Sequence, residues 1–527
     1  MVDLKSNPAR ILVIQLARFG DFLQTTPLLS ALRAQNPKAR ISVLVDKGRT
    51  ELAEKNPDID EVLSVDLARL AGMARSEITL SEKIESIHAA VKSLKTERYG
   101  LVINLNYSRV AALLANLIDA EKNIGPRYGS DRKQLTPSPW AGFILNLMTN
   151  RRLIRFNLVD LLTVYAEGEI KPSGSLAYPL SPEDLRLGAE LLTQQEGQIL
   201  IGFQLGSRHF SRQWPLENFT QLGAQLMIKR KARLVLLGTG EEKRLGRIFM
   251  ESLKKISPNS GERVINLMGR TTIPALAGVL NRLNLLVTTD TGSMHLTAAV
   301  KTPILALFMG PAFCHETGPY GTGHVLAQTM TECGPCQESE TKCEDAFCRY
   351  LITPKLIFSL AEWILSERES PLPSADDFGP DVRLLISSLD DFGTVYRPLA
   401  PWRLTREDVL AASYREAGRA FMRSGYHLKE EKIASELSSY TDPGGLCFGD
   451  LEVSLEHIIQ FIPPNSSHGT PAGLKDSAEG QEELKPLIGT IFNPALEFKV
   501  RLKLAQDMLR VITVAREIIT GQVALTF

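Results

Sequence analysis

The stretch Leu285-Leu-Val-Thr-Thr-Asp-Thr-Gly-Ser-Met-His295 decides which fold the sequence predicts. Its first five residues are apolar or β-branched, as in a strand buried on both faces, and residues 296–300 can continue only as a helix. Gly292 permits a tight turn between them, so backbone N–H groups point outward where the helix begins. Such a turn can hold a phosphate through these donors and the positive end of the helix dipole.

The polar residues of this turn allow two interpretations. Thr291 and Ser293 can add hydroxyl donors to an anion site, or Asp290 and Thr291 can cap the helix with no ligand present. For His295, the alternative to a ligand contact is a buried imidazole satisfied by a backbone carbonyl.

The same alternation of apolar runs and helical patterns extends outward in both directions. Buried strands separated by helices form parallel sheets, so the pattern predicts βαβ units. One series precedes residues 178–182 and a second follows them. We therefore expect an α/β protein with two Rossmann-like, doubly wound domains, residues 1–178 and 179–369, that face a cleft at the carboxyl ends of their sheets. The predicted strands are residues 11–16, 40–45, 61–65, 101–105, 199–203, 233–237, 285–289 and 303–307.

Residues 370–527 lack this alternation. Leu410, Tyr414 and Phe421 lie at helical spacing and predict a mostly helical extension of unknown role. Residues 463–487, rich in Pro, Gly, Ser and charge, predict a mobile loop. Basic residues surround an apolar stripe at 499–516, and they form either a solvated face or a surface for an anionic membrane leaflet.

Composition limits the classes of function. With 44% hydrophobic and 23% charged residues, the 527-residue chain has a globular composition. Its 60 basic and 60 acidic residues balance, so no overall field attracts nucleic acid and an anionic ligand has to be held by local groups. The apolar run at 11–16 is too short for a signal peptide, and no stretch reaches the length of a membrane span. We expect a cytoplasmic protein.

A second glycine-bearing loop follows the first strand of the second series. Residues 206–215 read Gly-Ser-Arg-His-Phe-Ser-Arg-Gln-Trp-Pro. The guanidinium groups of Arg208 and Arg212 suit bidentate contacts with phosphate oxygens if they face the cleft, whereas the alternative is ordinary surface arginines beside a helix start. Because this loop and the turn at Asp290 leave the same sheet edge, together they predict a diphosphate clamp.

A third glycine-bearing loop ends the first strand, where residues 18–26 read Arg-Phe-Gly-Asp-Phe-Leu-Gln-Thr-Thr. Gly20 allows the backbone to turn, and Asp21 then lies at the mouth of the cleft. A carboxylate repels a diphosphate, so Asp21 suits a general base that deprotonates an incoming hydroxyl. The alternative is that Asp21 only caps the helix that begins at Phe22.

These motifs, taken in order, resemble glycosyltransferase family 9, the ADP-heptose:lipopolysaccharide heptosyltransferases and their relatives. The resemblance rests on Gly-Asp with Pro six residues after the Asp at 20–27, a basic residue before Gln-Trp-Pro at 212–215, and Asp-Thr-Gly-x-x-His at 290–295. Residues 267–272, 308–311 and 317–321 add to it, and it covers about residues 9–367.

The resemblance implies a GT-B fold and an inverting, metal-independent transfer with Asp21 as the base. Arg212 stands where the family usually has lysine, which keeps the charge but changes the geometry of the phosphate contact. Glu241 is an alternative to Glu242 at the donor ribose or base. The positions that match donor-binding residues are Ser207, Arg212, Glu242, Thr271, Asp290, Thr291, Gly292 and His295.

The implied function is transfer of a sugar, heptose from ADP-heptose, to a lipopolysaccharide core or related lipid-linked glycan acceptor. A lipid-linked acceptor also implies that the protein contacts the cytoplasmic face of the inner membrane peripherally. The alternatives are another GT-B nucleotide-sugar enzyme, such as an epimerase, and a non-catalytic nucleotide-sugar-binding scaffold. No cofactor is expected for catalysis.

Four of the six cysteines form a cluster, Cys333, Cys336, Cys343 and Cys348. Four thiolates within sixteen residues can bind a structural Zn²⁺ tetrahedrally, although the second pair is loosely spaced for a zinc ribbon. Free thiols or a redox-labile pair are the alternatives. The position of the cluster in a loop argues against a catalytic role.

Overall fold

The computed structural model describes residues 9–75, 79, 82, 97–128, 134–135, 151–166, 172–192, 197–336, 343, 346–374, 377–403, 405–422 and 508. Within them, strands and helices alternate and form two mostly parallel sheets, which confirms the predicted α/β class. The predicted loop at 463–487 and the basic stripe at 499–516, apart from residue 508, lie outside the described residues.

The first sheet has five parallel strands in the order β3-β2-β1-β4-β5. The central strand is buried from Ile11 to Gln15, and its Ile11 lies opposite Ile41 on one side and Leu101 on the other. The strand order reverses between β1 and β4, and the carboxyl edge of such a switch point is where doubly wound sheets bind ligands. The strands are β1 (Arg10–Gln15), β2 (Arg40–Asp46), β3 (Glu61–Val65), β4 (Tyr99–Asn104) and β5 (Ala120–Ile124), followed by a separate pair, β6 (Arg127–Tyr128) and β7 (Gln134–Leu135).

The second sheet has eight strands in the order β10-β9-β8-β11-β12-β13-β14-β15. Its switch point lies between β8 and β11, the two strands that lead into the loop at 206–215 and the turn at 290–295. The strands are β8 (Leu200–Gln204), β9 (Arg233–Leu237), β10 (Val264–Asn266), β11 (Leu285–Thr289), β12 (Ile304–Phe308), β13 (Val325–Thr329), β14 (Val382–Leu389) and β15 (Thr394–Pro398).

Five of the described α-helices begin at a capping side chain. Ser108, Ser181 and Thr353 each accept a hydrogen bond from a backbone N–H of the first turn of the helix that follows. None of the helices in the described part of the chain is long and apolar enough to cross a membrane. The helices are α1 (Phe19–Gln35), α2 (Thr50–Glu54), α3 (Leu67–Arg75), α4 (Arg109–Leu117), α5 (Leu158–Thr163), α6 (Pro182–Leu191), α7 (Leu216–Lys229), α8 (Lys243–Ile256), α9 (Ile273–Asn281), α10 (Gly292–Ala299), α11 (Cys314–Thr317), α12 (Cys348–Leu351), α13 (Pro354–Leu365) and α14 (Arg406–Met422).

The region after residue 369 begins differently from the prediction. Instead of helix, residues 382–398 form the antiparallel hairpin β14–β15, and β14 pairs with β13 so that Val325 lies opposite Ile386. The sequence interpretation took the loss of the βα rhythm for the end of the sheet. An antiparallel hairpin needs no helix between its strands, so the sheet continues without that rhythm.

The two sheets, called here the first and second lobes, share one apolar core. Phe22 and Leu29 of α1 belong to the same buried cluster as Met294 and Leu296 of α10. A partly buried ion pair also joins the lobes, because Lys55 Nζ lies 2.5 Å from the buried carboxylate of Asp184 at the start of α6. The orientation of α1 relative to α10 is therefore set by packing as well as by chain connection.

Candidate active site

The amino-terminal ends of α1 and α10 meet at the centre of the molecule. A Cβ atom at Gly20 would lie 2.8 Å from Cδ2 of His295 and 3.3 Å from Cα of Gly292. A Cβ at Gly292 would lie 2.5 Å from the ring of Phe19. The structure thus places the first-lobe loop that carries Asp21 directly beside the second-lobe turn at 290–295.

Asp21 is the third residue of α1, and its carboxylate is half-buried. One carboxylate oxygen accepts a hydrogen bond of 2.9 Å from the backbone N–H of Arg18, so Asp21 does cap its helix. The other oxygen makes no hydrogen bond within the described residues. Capping and general-base chemistry are compatible here, because the cap uses one oxygen and holds the carboxylate in a fixed orientation.

His295 is buried between the lobes, and its Nε2 lies 3.3 Å from the side-chain Nε2 of Gln24. Its Nδ1 has no hydrogen-bond partner among the described residues. Burial lowers the pKa of His295 to about 4, although the charge of Asp21 acts in the opposite direction. The imidazole is therefore neutral at physiological pH, and its neighbour is a side chain of the other lobe, not the backbone carbonyl of the alternative interpretation.

Gln24 was missed in the sequence interpretation. It lies one helical turn after Gly20, and its Nε2 also lies 3.4 Å from the carbonyl oxygen of Gly20. Residues four apart share a helix face, so a polar side chain at this spacing from a cleft glycine was an available signal.

The turn before α10 is not capped by its own side chain. Thr291 occupies the N-cap position without a side-chain cap, and its hydroxyl lies 3.2 Å from that of Thr288. Ser293 donates a hydrogen bond of 2.9 Å to Gln204 at the end of β8. The Met294 N–H donates a hydrogen bond of 3.1 Å to the carbonyl of Thr291, whereas the N–H groups of Gly292 and Ser293 bond to no described residue. These two are left to a ligand or solvent, as an anion-binding helix terminus requires.

Arg212 forms an ion pair with Asp290, with Nη1 3.0 Å from the carboxylate oxygen. The two side chains are only 16% and 9% exposed. Both predicted donor-site residues are brought together, but Asp290 orients the guanidinium and does not cap α10. Arg208, the other arginine of the loop, is exposed.

The loop that carries Arg212 is anchored on both sides. The fully buried Trp214 donates a hydrogen bond of 2.8 Å to the carbonyl of Ile352, and Arg349 donates one of 2.5 Å to the carbonyl of Gln213. The Gln213 side chain in turn donates a hydrogen bond of 2.7 Å to the carbonyl of Ser207, and Ser207 is buried. Arg349 was not predicted, since nothing local in its sequence connects it to a loop 136 residues away.

Glu242 and Glu241, the two alternatives for the donor ribose or base, differ in their positions. The carboxylate of Glu242 accepts a hydrogen bond of 2.8 Å from the backbone N–H of Thr239. A Cβ atom at Gly206 would lie only 1.9 Å from this carboxylate and would overlap it. Glu242 therefore lies at the carboxyl ends of β8 and β9, while Glu241 is exposed. Thr271 is half-buried in the loop that precedes α9.

A second buried ion pair, Arg151–Glu316, lies close enough to the Arg212–Asp290 pair for their charges to interact. Arg151 contacts Glu316 at 2.5 Å and donates 2.7 Å to the carbonyl of Pro311. Burial raises the pKa of Glu316, and the hydrogen bond and charge of Arg151 oppose that rise. The charge of Asp290 raises this pKa further, and the charge of Arg212 lowers it. Sequence reasoning did not find this pair, which links residues 165 positions apart.

The four clustered cysteines are free thiols, with Cys348 buried and Cys333 and Cys343 exposed. Burial raises the pKa of Cys348, and the neighbouring Cys336, Cys333 and Cys343 add to that rise. Within the described part of the chain, no group of three or more His, Cys, Asp or Glu side chains is arranged to hold a metal ion. The described residues therefore do not support the predicted structural zinc site. Residues 337–342 and 344–345 of the cysteine loop lie outside the described residues.

Two doubly wound sheets with their switch points turned toward each other define the GT-B class of nucleotide-sugar enzymes. The solved structure of the glycosyl transferase family 9 protein from Veillonella parvula DSM 2008 shares this fold, with a TM-score of 0.54 and 25% identity over 68% of this chain and 98% of that one. Glycosyltransferase family 9 (heptosyltransferase) is also the family whose model matches residues 87–346.

Curated relatives agree with this match. Lipopolysaccharide heptosyltransferase 3 of Escherichia coli (strain K12) is 24% identical over 68% of this chain and 97% of its own length. Lipopolysaccharide heptosyltransferase 2 of Salmonella typhimurium is 24% identical over 68% and 99%. The chain is a glycosyltransferase, and over residues 87–346 it is similar to glycosyltransferase family 9. About a third of it has no counterpart in these two relatives.

Proposed function

We propose that the protein is an inverting, metal-independent heptosyltransferase that moves heptose from ADP-heptose to a lipopolysaccharide core or related lipid-linked acceptor. The relatives are lipopolysaccharide heptosyltransferases by name, and that motivates the choice of donor and acceptor. The reaction takes place, in this proposal, in the cytoplasm and at the cytoplasmic face of the inner membrane, where the acceptor is presented.

One observation carries the proposal. The carboxylate loop of the first lobe and the uncapped helix start of the second lobe are in contact, with Gly20 against His295 and Gly292. A base on one side and an anion cradle on the other are what in-line displacement of a nucleotide diphosphate requires. The acceptor hydroxyl loses its proton to Asp21 and attacks the anomeric carbon from the face opposite the leaving group.

The departing diphosphate gains negative charge as the glycosidic bond breaks. Arg212 and the N–H groups at the start of α10 stabilise that charge in this proposal, so no divalent cation is needed. Ser207, Thr271 and Thr291 supply further donors, and Glu242 contacts the ribose or the base. Asp290 holds Arg212 in place, as the 3.0 Å ion pair supports.

The test uses Asp21→Asn, which keeps an oxygen to cap the Arg18 N–H but removes the base. We expect kcat for transfer from ADP-heptose to fall by about 10² to 10⁴, with the Kd for ADP changed less than about threefold. Asp21→Ala, which also loses the cap, is the comparison for structural effects. Wild-type transfer by Asp21→Asn would reject the general-base role.

Two further measurements address the finer claims. The anomeric configuration of the product, read by NMR, should be opposite to that of the donor, and retention would reject the inverting mechanism. Transfer should be unchanged after treatment with EDTA. If the wild-type protein binds ADP-heptose without turnover on any acceptor, the nucleotide-sugar-binding scaffold is the better description.

A further inference from the structure

A second groove lies in the second lobe, at the sheet edge opposite the cleft. Its volume is about 340 Å³, and its walls include Thr322, Gly323, Arg368, Ile386, Ser388 and Arg397. Thr322 and Gly323 precede β13, which runs parallel to β12 and β11, whereas the candidate site follows the carboxyl ends of β8 and β11. The groove is therefore separate from the candidate active site.

The hairpin β14–β15 builds one wall of this groove. Ile386 lies opposite Arg397 in the antiparallel register, and Ser388 is two residues further along β14. Side chains alternate along a strand, so these three share one face of the sheet. The loop before β13 is fixed to the same hairpin, because the Gly323 N–H donates 2.8 Å to the carbonyl of Ser387.

The turn after α13 places Arg368 over the other wall. Glu367 and Arg368 both have left-handed backbone conformations, with φ of 55° and 74°, which residues with a Cβ adopt only at a cost. The guanidinium lies 5.1 Å from the ring centre of Trp363, and Arg368 Nη2 would be 3.2 Å from a Cβ at Gly323. The strained turn at residues 367–368 thus places the Arg368 guanidinium over Gly323, where the groove wall has no side chain.

Among the described residues, no acidic side chain forms an ion pair with the two arginines of this groove. Arg368 and Arg397 are both exposed, and neither forms an ion pair with any residue that the structure describes. By contrast, Arg383 and Arg415 in the same region are paired with Asp408 and Asp390. Two guanidinium groups that lack an acidic partner among the described residues, with hydroxyl groups in the same groove, form a donor set that suits a phosphate. Each guanidinium can bind two phosphate oxygens.

We propose that this groove binds a phosphomonoester carried on a small polar molecule, such as a sugar phosphate. Arg368 and Arg397 hold the phosphate, while Thr322, Ser388 and the apolar side of Ile386 contact the attached ring. The volume is at the lower end of the range of about 300–1,000 Å³ for small-molecule sites, which fits one ring and one phosphate group.

The test is calorimetric titration of the full chain with glucose 6-phosphate, inorganic phosphate and glucose. Because the cleft also attracts phosphate groups, the titrations are made in an Arg212→Ala background. We expect glucose 6-phosphate to bind more tightly than inorganic phosphate, and glucose not to bind. Adding Arg368→Ala or Arg397→Ala should raise the Kd for glucose 6-phosphate at least about tenfold, with an unchanged melting temperature.

The matched control is Arg247→Ala, which removes another exposed arginine of the second lobe and should leave the Kd unchanged. Unchanged binding in Arg368→Ala and Arg397→Ala would overturn the proposal, as would equal affinities for inorganic phosphate and glucose 6-phosphate. A lipid source is separated by sedimentation with phosphatidic acid vesicles and phosphatidylcholine vesicles. Arginine-dependent binding to the former, without binding of glucose 6-phosphate, would also overturn the small-molecule proposal.

Discussion

Arg212 and Asp290 are opposite charges that a diphosphate would meet together. Removing Arg212 leaves the carboxylate of Asp290, which is 9% exposed, without this partner next to the expected phosphate position. We expect Arg212→Ala to raise the Kd for ADP by about 10- to 100-fold, which corresponds to about 1.5–3 kcal/mol. The double variant Arg212→Ala/Asp290→Ala should bind ADP more tightly than Arg212→Ala, because the repelling carboxylate is also gone.

Calorimetry of the four proteins in this cycle gives the coupling between the two side chains. Arg208→Ala is the matched control, since Arg208 lies on the same loop but is exposed, and its ADP affinity should stay near wild type. Additive losses in the double variant would contradict the idea that Asp290 acts through Arg212.

The contact between α1 and α10 depends on two glycines at the helix starts. An alanine at Gly20 would push its Cβ to 2.8 Å from His295, so one of the two helices has to move. Because Gly20 belongs to the first lobe, we expect Gly20→Ala to lower kcat for transfer by at least about tenfold, with a smaller effect on the Kd for ADP. Steady-state kinetics and ADP titration separate the two effects.

Gly240→Ala is the control for a glycine substitution in itself. Nothing lies within 4 Å of a Cβ built at Gly240, and its transfer rate should be unchanged. A Gly20→Ala protein that keeps wild-type kcat would show that the helix contact is not needed for catalysis.

In the whole molecule, the region after residue 369 joins the lobes through buried ion pairs. Asp408 of α14, with a fully buried carboxylate, lies 2.7 Å from Arg383 of β14 and 3.2 Å from Arg155 of the first lobe. Asp408→Ala would leave two buried guanidinium groups without this partner, and we expect it to lower the free energy of unfolding by about 3–5 kcal/mol. Denaturant unfolding provides the measurement.

Asp377→Ala is the matched control, since the Asp377–Lys355 pair, 3.0 Å long, has an exposed lysine. Its effect on the free energy of unfolding should stay below about 1 kcal/mol. A similar loss in both variants would mean that the buried network contributes no more than a surface ion pair.

Sequence reasoning succeeded where the signal is local. Residues 61–65, 233–237 and 285–289 fold as the predicted strands because apolar periodicity and turn residues act within a few positions of each other. It also singled out Arg212, Asp290 and Asp21, since each lies in a glycine-bearing loop or turn after a strand, and their roles stay predictions.

The sequence by itself determined the α/β class, the two sheets and the loops that leave their switch points, because burial on both faces of a parallel strand dictates an apolar run. Only the tertiary structure decided that Asp290 pairs with Arg212, that Gln24 meets His295 across the lobes, and that residues 382–398 extend the second sheet. These contacts join residues up to 271 positions apart, and their energy comes from packing and charge pairing that no local pattern records.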